Sequence, residues 1–269
     1  MNGIYSCNAM TAVCFFGEIR GTPDHWKKVY DAIVAPNNAD VFMSHTIYDK
    51  DFLSSYTPDQ QALYNNYYKD KGVHYYPPRE LLEIFKPKGF HCSCRNEYPL
   101  NHYDLFVDKV NPINSLTVGN NSYDCTKLAY YAIMNQHETR SSVISLKQSH
   151  EQKTKPYDTV ILTRLDINPI DTLVVHKPPR ISAQGHPKYI NEQIIYGPSS
   201  DMNVFTKLLD HMPDIYVTHC TMKHHFMQNE HHLYTFLEKN GVLLDYVNMP
   251  LSYHCKIPNG LMRFTFSFQ

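Results

Sequence analysis

The sequence predicts an α/β fold, one domain with a central, mostly parallel, twisted sheet flanked by helices. Three observations carry that expectation. The stretch Tyr157 to Asn168, YDTVILTRLDIN, is apolar through Val160, Ile161 and Leu162 and ends abruptly in polar residues, and a strand that is apolar on both faces belongs inside a parallel-type sheet. The chain opens on a β-α-β pattern, whose crossover is expected to be right-handed and its two strands parallel. Further on, short apolar runs of strand length are separated by segments with helical spacing.

In chain order, Thr11 to Phe16 reads as a first buried strand, followed by a loop from Gly17 to Gly21. A helix opens at Asp24 and runs to Ile33, with Trp26, Val29, Tyr30 and Ile33 at the spacing of an amphipathic face. Ala39 to Ser44 is a second short strand. Tyr48 to Tyr103 is rich in Tyr, Pro, Asp and Lys with weak periodicity, and reads as loops and short helices. Tyr123 to His150 is helical, with Leu128, Tyr131, Ala132 and Asn135 on one face and a second helical segment after Arg140. The Tyr157 strand follows, then strands over Thr172 to Val175 and Gln193 to Tyr196. Met202 to Met212 suits a helix capped by Ser200 or Asp201. Asn229 to Asn240 is another, with Leu233, Phe236 and Leu237 inward and Asn240-Gly241 ending it. Val242 to Val247 is the last strand, and no repeat, low-complexity tract or linker divides the chain.

Composition narrows the function. The 269 residues carry a formal net charge of −1 and a pI near 7.0, so no global field draws nucleic acid or an anionic membrane surface. Sixteen His and 21 Tyr against 10 Gly suit a wet, hydrogen-bonding cleft. Seven Cys form no regular framework, and Cys92 and Cys94 are spaced too closely for a zinc knuckle. Reduced thiols, and with them a cytoplasmic protein, are expected. The start has neither a basic region nor a long apolar region, so no signal peptide is expected. Apolar runs are far shorter than the roughly 20 residues of a membrane span.

Function is expected where the apolar run ends, because ligands of open α/β sheets bind outside the carboxyl ends of the strands. Continued strand alternation puts Arg164, Asp166 and Asn168 on one side and Ile167 in the core. Two oxygen ligands there suit a hard divalent cation on a phosphate, and Arg164 could grip a phosphate directly. Asp-x-Asn-Pro is also ordinary turn chemistry.

Four segments, in order, resemble a family. FFGEIRG, NADVFMSHT, YDTVILTRLDIN, and NEQIIYGPSSDM followed by NEHHLYTFLEKNGV are similar to the strand ends and helix starts of GT-A-type nucleotide-sugar glycosyltransferases. These are the small enzymes of bacterial polysaccharide loci and large DNA viruses. The chain departs from the pattern at two places. Asp166-Ile167-Asn168 stands where the stronger motif has Asp-x-Asp, and Glu192 where the family has Asp.

The resemblance implies a GT-A-like fold, with a nucleotide-binding half over residues 11–168 and an acceptor side over 169–269. It implies transfer of a sugar from a nucleotide-diphosphate donor, UDP-linked, to a glycan or glycoprotein in the cytoplasm, that of the host for a viral protein. Gly17, Arg20, His45, Thr46, Arg164 and Lys256 would meet the donor. Mn²⁺ or Mg²⁺ would be held by Asp166 and Asn168 with His254 as a third ligand. Glu230, at a helix start, would be the general base of an inverting reaction, with Glu192 and Asp201 as reserves. Two other classes stay open. One is a carbohydrate-binding protein on a decayed transferase fold, motivated by the missing second acid. The other is a zinc hydrolase using the His-rich stretch His219, Cys220, His224, His225, His231 and His232, although its spacings fit neither H-E-x-x-H nor a C-x-x-C pair.

Overall fold

The computed structural model describes residues 10–47, 58, 77–94, 114–118, 121–124, 126–186, 189–220, 229–247, 249, 251–252 and 264–266. The expected strand of the opening apolar run forms as β1 (Thr11–Glu18), buried along nearly its whole length. Helix α1 (Pro23–Val29) begins earlier than Asp24 because Thr22 caps it, accepting from the His25 N–H, and Pro23 occupies the first turn. It continues through a π turn at Tyr30–Val34. The amphipathic face is real: Trp26, Val29 and Ile33 are buried. Strand β2 (Asp40–Ile47) pairs parallel to β1, completing the β-α-β unit.

Helix α2 (Arg79–Phe85) and strand β3 (Gly89–Cys94), parallel to β2, follow. A small antiparallel sheet contains β4 (Asn114–Val118) and β5 (Asn121–Asp124). Helix α3 (Thr126–Glu151) is continuous through Arg140. The expected break there is absent because no Gly or Pro interrupts the segment. Strand β6 (Thr159–Arg164) runs parallel to β1, beside it at the centre of the sheet.

After β6 come a two-residue strand β7 (Asn168–Pro169), β8 (Ile181–His186) and β9 (Tyr189–Pro198). Residues 172–175 are not a strand. Their backbone groups are met instead by the Asn37 side chain, which donates to the Leu173 carbonyl at 2.7 Å and accepts from the Val175 N–H at 2.9 Å. Leu173 and Val175 are buried without a ladder, so the apolar alternation was real and its partner was not a strand. The expected Gln193–Tyr196 strand is the middle of the longer β9.

The helix expected over 202–212 starts sooner and is split. It comprises α4 (Ser199–Met202), a 3₁₀ segment Asn203–Lys207, and α5 (Leu208–Cys220). Helix α6 (Asn229–Lys239) buries Leu233, Phe236 and Leu237 as expected and ends at Gly241, φ +68°. Strand β10 (Leu244–Tyr246) closes the sheet, while β11 (Leu251–Ser252) pairs with β7 and β12 (Phe264–Phe266) with β4.

The main sheet has seven strands in the order β10-β8-β9-β6-β1-β2-β3. All neighbours are parallel except at β9, which runs antiparallel to both β6 and β8. The two sequence halves therefore share one sheet through the β6–β9 pair. One apolar cluster joins Ala12, Cys14, Phe16, Val160 and Leu162 to α3, α5 and α6; another joins Val13, Phe15 and Ile161 to α1 and α2. At Gly197 a Cβ would lie 3.0 Å from the Ile181 backbone, so a side chain there would require β8 to shift by a few tenths of an ångström. Among the described residues no helix is long and apolar enough to cross a membrane, and Cys14 and Cys92 are free thiols.

One buried cation fastens α3 to the start of α4. The Lys147 ammonium is fully buried and donates to Glu151 Oε2 at 2.9 Å, Ser199 Oγ at 2.6 Å and Asn203 Oδ1 at 2.6 Å. Ammonium offers three donors, and all three are used. Lys147→Ala should lower unfolding free energy by about 3–5 kcal/mol, the usual effect of orphaning one partner of a buried ion pair. Urea denaturation is the check, and an unchanged midpoint would reduce this contact to ordinary packing.

Candidate functional site

Gly17, near the end of β1, has φ +95°, a conformation that favours glycine. Its N–H is accepted by Thr139 Oγ1 of α3 at 3.1 Å, and its carbonyl is 3.0 Å from His45 Nδ1. A carbonyl only accepts, so Nδ1 carries the proton and Nε2 is the acceptor nitrogen. Burial lowers the His45 pKa to about 4 in spite of that hydrogen bond, and the ring is neutral. His45 and Thr46 are both buried. They lie beneath the strand ends, away from solvent, and His45 Nε2 and Thr46 Oγ1 have no hydrogen-bond partner among the described residues.

Beyond Gly17 the chain brings three arginines and three carboxylates into one network. Arg20 donates to Glu18 and, at 2.9 Å, to Asp166 Oδ2. Arg164 grips Asp166 side-on, Nε to Oδ1 at 2.8 Å and Nη2 to Oδ2 at 2.7 Å. Its Nη1 donates to Glu192 Oε1 at 2.9 Å, while Arg140 Nη2 donates to Glu192 Oε2 at 2.7 Å. The members differ in access. Arg20 and Arg164 are 17% and 18% exposed at the side chain, whereas Arg140 is at 0%, its guanidinium 4.3 Å above the Phe16 ring. Such a contact adds a cation–π attraction to the buried pair.

Burial pushes the Asp166 carboxyl up, but the Arg164 and Arg20 guanidiniums outweigh burial and hold it well below the usual carboxylate range. Arg140 also donates toward His137 Nδ1 at 3.2 Å. Because arginine cannot accept, His137 carries its proton on Nε2. Burial, then the Arg140 charge and His232, keep that ring neutral. His232 of α6 packs beside it, ring centroids 5.9 Å apart.

Glu230 stands in the first turn of α6. Burial and then the Glu192 carboxylate push its carboxyl up to about 7, against the opposing pull of Arg140 and Arg164. Glu230 thus feels the charges of the arginine network and has a carboxyl poised near neutrality.

The reserves fare differently. Glu192 is near the start of β9 and is committed to two arginines. Asp201 is exposed and sits at the opposite edge of the sheet. Strand β9 runs against β6, so Pro198 pairs with Thr159 at the amino end of β6 and Ser199 bonds the Asp158 carbonyl.

Asp166 and Asn168 do not form a ligand pair. The strand ends at Arg164, the alternation expected through Asn168 is broken by a turn, and Asn168 Oδ1 accepts from Lys28 of α1 at 2.9 Å. Both Asp166 oxygens already accept from guanidiniums. A cation here would have to displace two like charges, so the residues present do not fit Mn²⁺ or Mg²⁺. Among the described residues no group of three or more His, Cys, Asp or Glu could hold a metal ion. Lys256, His254, His224 and His225 lie outside the described residues. Arg140 and His137 were missed from the sequence, and their only signal was polar residues on the inward side of a long helix.

No known protein family matches the chain, and no curated protein is similar to it at a significant level.

The Glu230 shift has a measurable consequence. Its folded pKa lies above its ordinary value of 4.5, so the folded state binds that proton more tightly. The associated stability is fully present below pH 4.5 and is lost as pH rises toward 7. Glu230→Gln should flatten this part of the stability–pH curve, measured by denaturant titration from pH 4 to 8; an unaltered curve would remove the assigned shift.

Proposed function

We propose that this chain is a glycosyltransferase. It moves a sugar from a nucleotide-diphosphate donor, UDP-linked, to a hydroxyl of a glycan or glycoprotein acceptor. The observation that carries the reading is convergence. Arg20 after β1, Arg164 and Asp166 at the end of β6, Glu192 on β9, Arg140 on α3 and Glu230 on α6 meet outside the carboxyl ends of β1 and β6. Ligands of open α/β sheets bind at that edge, and guanidinium forks suit phosphate oxygens. The mostly parallel sheet and the order of the four resembling segments support a GT-A-like arrangement.

In this reading Glu230 accepts the proton of the acceptor hydroxyl as that oxygen attacks the anomeric carbon. The bond from that carbon to the diphosphate oxygen breaks, and the nucleoside diphosphate leaves with the bonding pair. The arginine network orients the diphosphate and offsets the charge that develops on it. A thermal-shift screen of nucleotide sugars tests the donor class, because a ligand of the native state raises apparent stability. Stabilisation by free glycans and by no nucleotide would favour the carbohydrate-binding alternative.

Glu230→Gln keeps the shape and removes the base. It should lower kcat by about two to four decades with donor affinity nearly unchanged. In the wild type kcat/KM should rise with pH through about 7, where Glu230 loses its proton. Near-normal turnover in the glutamine variant, or anomeric retention in the product, would remove Glu230 from that role.

A further inference from the structure

The polar edge of β6 is built for anions in a way the Asp-x-Asn triplet does not announce. A guanidinium has five N–H donors. Arg164 uses three of them, Nε and Nη2 on Asp166 and Nη1 on Glu192, which leaves one N–H on each terminal nitrogen. The side chain is held from two directions and is still partly open to solvent, 18% exposed. Arg20 is fastened to the same Asp166 oxygen and to Glu18. Asn168 turns to Lys28 instead. Asp166 therefore acts as a bracket for two guanidiniums.

We infer that Arg164 and Arg20, bracketed by Asp166, receive the donor diphosphate directly, without a divalent cation, and that Asp166 is a positioning residue and no metal ligand. The inference rests on the glycosyltransferase reading and deepens it by specifying how the leaving group is met. Its physical content is a choice between two sources of positive charge. A hard cation needs carboxylate oxygens with free lone pairs and room for six to eight ligands or a nearly octahedral shell. Asp166 offers oxygens already engaged by three N–H groups. Guanidinium supplies permanent charge with planar donors that match phosphate oxygens two at a time. The network is also close to neutral, three arginines against Glu18, Asp166 and Glu192. A ligand anion thus meets oriented donors more than net charge, and the contact should be only moderately sensitive to salt.

Two titrations of the full chain test this. Mn²⁺ alone, followed by the electron paramagnetic resonance of the free ion, should show no tight site, and Asn168→Asp should not create one. UDP titrated calorimetrically should bind equally well with EDTA and with Mn²⁺. Asp166→Asn, with its fold checked by circular dichroism, keeps one acceptor oxygen but cannot bracket both arginines. It should weaken UDP about tenfold, and Mn²⁺ should not restore the loss; Arg20→Gln should weaken UDP by about ten- to a hundredfold. Tight Mn²⁺ binding that disappears in Asp166→Asn, or UDP binding seen only with Mn²⁺, overturns the inference and leaves the glycosyltransferase reading standing. Failure of UDP and UDP-sugars to bind under either condition overturns both.

Discussion

The ion-pair network at the carboxyl edge of the sheet is anchored by one buried contact, the pairing of Arg140 with Glu192. Arg140 has no exposed surface, and a guanidinium in such a place is tolerated only when charge and donors are both met. Glu192 meets the charge from one side, the Phe16 ring lies beneath and the His137 nitrogen accepts from the helix side, while Nε has no hydrogen-bond partner among the described residues. In turn the pair holds Glu192 where its second oxygen takes Arg164, and Arg164 fixes Asp166, which fixes Arg20. A chain of ion pairs thus runs from the inside of α3 to the loop after β1. Each member is hydrogen-bonded to the one before it, so the partly exposed arginines are positioned through the buried one.

The reversed strand β9 is what makes that contact available. Were β9 parallel to its neighbours, its first residues would lie at the amino edge and Glu192 would face away from β6's polar end. Running antiparallel, β9 delivers Glu192 to Arg164 at one edge and carries Ser199 to Lys147 at the other. Helix α3 spans both sites, with Arg140 toward the first and Lys147 toward the second. Two buried cations on one helix therefore clamp the two ends of the same strand pair.

How much of this was legible in the sequence depends on whether the signal was local. Strand β1, the crossover through α1, β2 and the Tyr157 strand were readable because apolar runs and the Trp26, Val29, Ile33 spacing are properties of neighbouring residues. Glu230 at a helix start was readable for the same reason. Strand β8, with Gln184 and Gly185 inside it, was not, because its stability comes from pairing with β9 and β10 and not from its own composition. The 172–175 segment misled because burial and ladder formation share one apolar signature. Asn37, more than a hundred residues away, decides between them. Asp201 looked as suitable as Glu192 until the direction of β9 placed them at opposite edges.

The Asp166 region shows the same limit in chemical terms. From the sequence, a carboxylate two residues from an amide at a strand end reads as a cation site or a turn, because each needs only oxygen acceptors, and an arginine partner distant in the chain leaves no local signal. What separates them is which donors the fold sends to those oxygens. Here two come from β6's own Arg164 and a third from the loop after β1. Asp166 then stays ionised despite its burial, and its charge is used up internally. Under the proposed function, a carboxylate in that condition would steer its arginines without competing for the diphosphate. Glu230, pushed the opposite way beside the same network, keeps the basicity that a proton acceptor needs. The fold separates two carboxylates by environment, one held as an anion between guanidiniums and one left near neutrality, and under the proposed transfer reaction the second is the one able to exchange a proton.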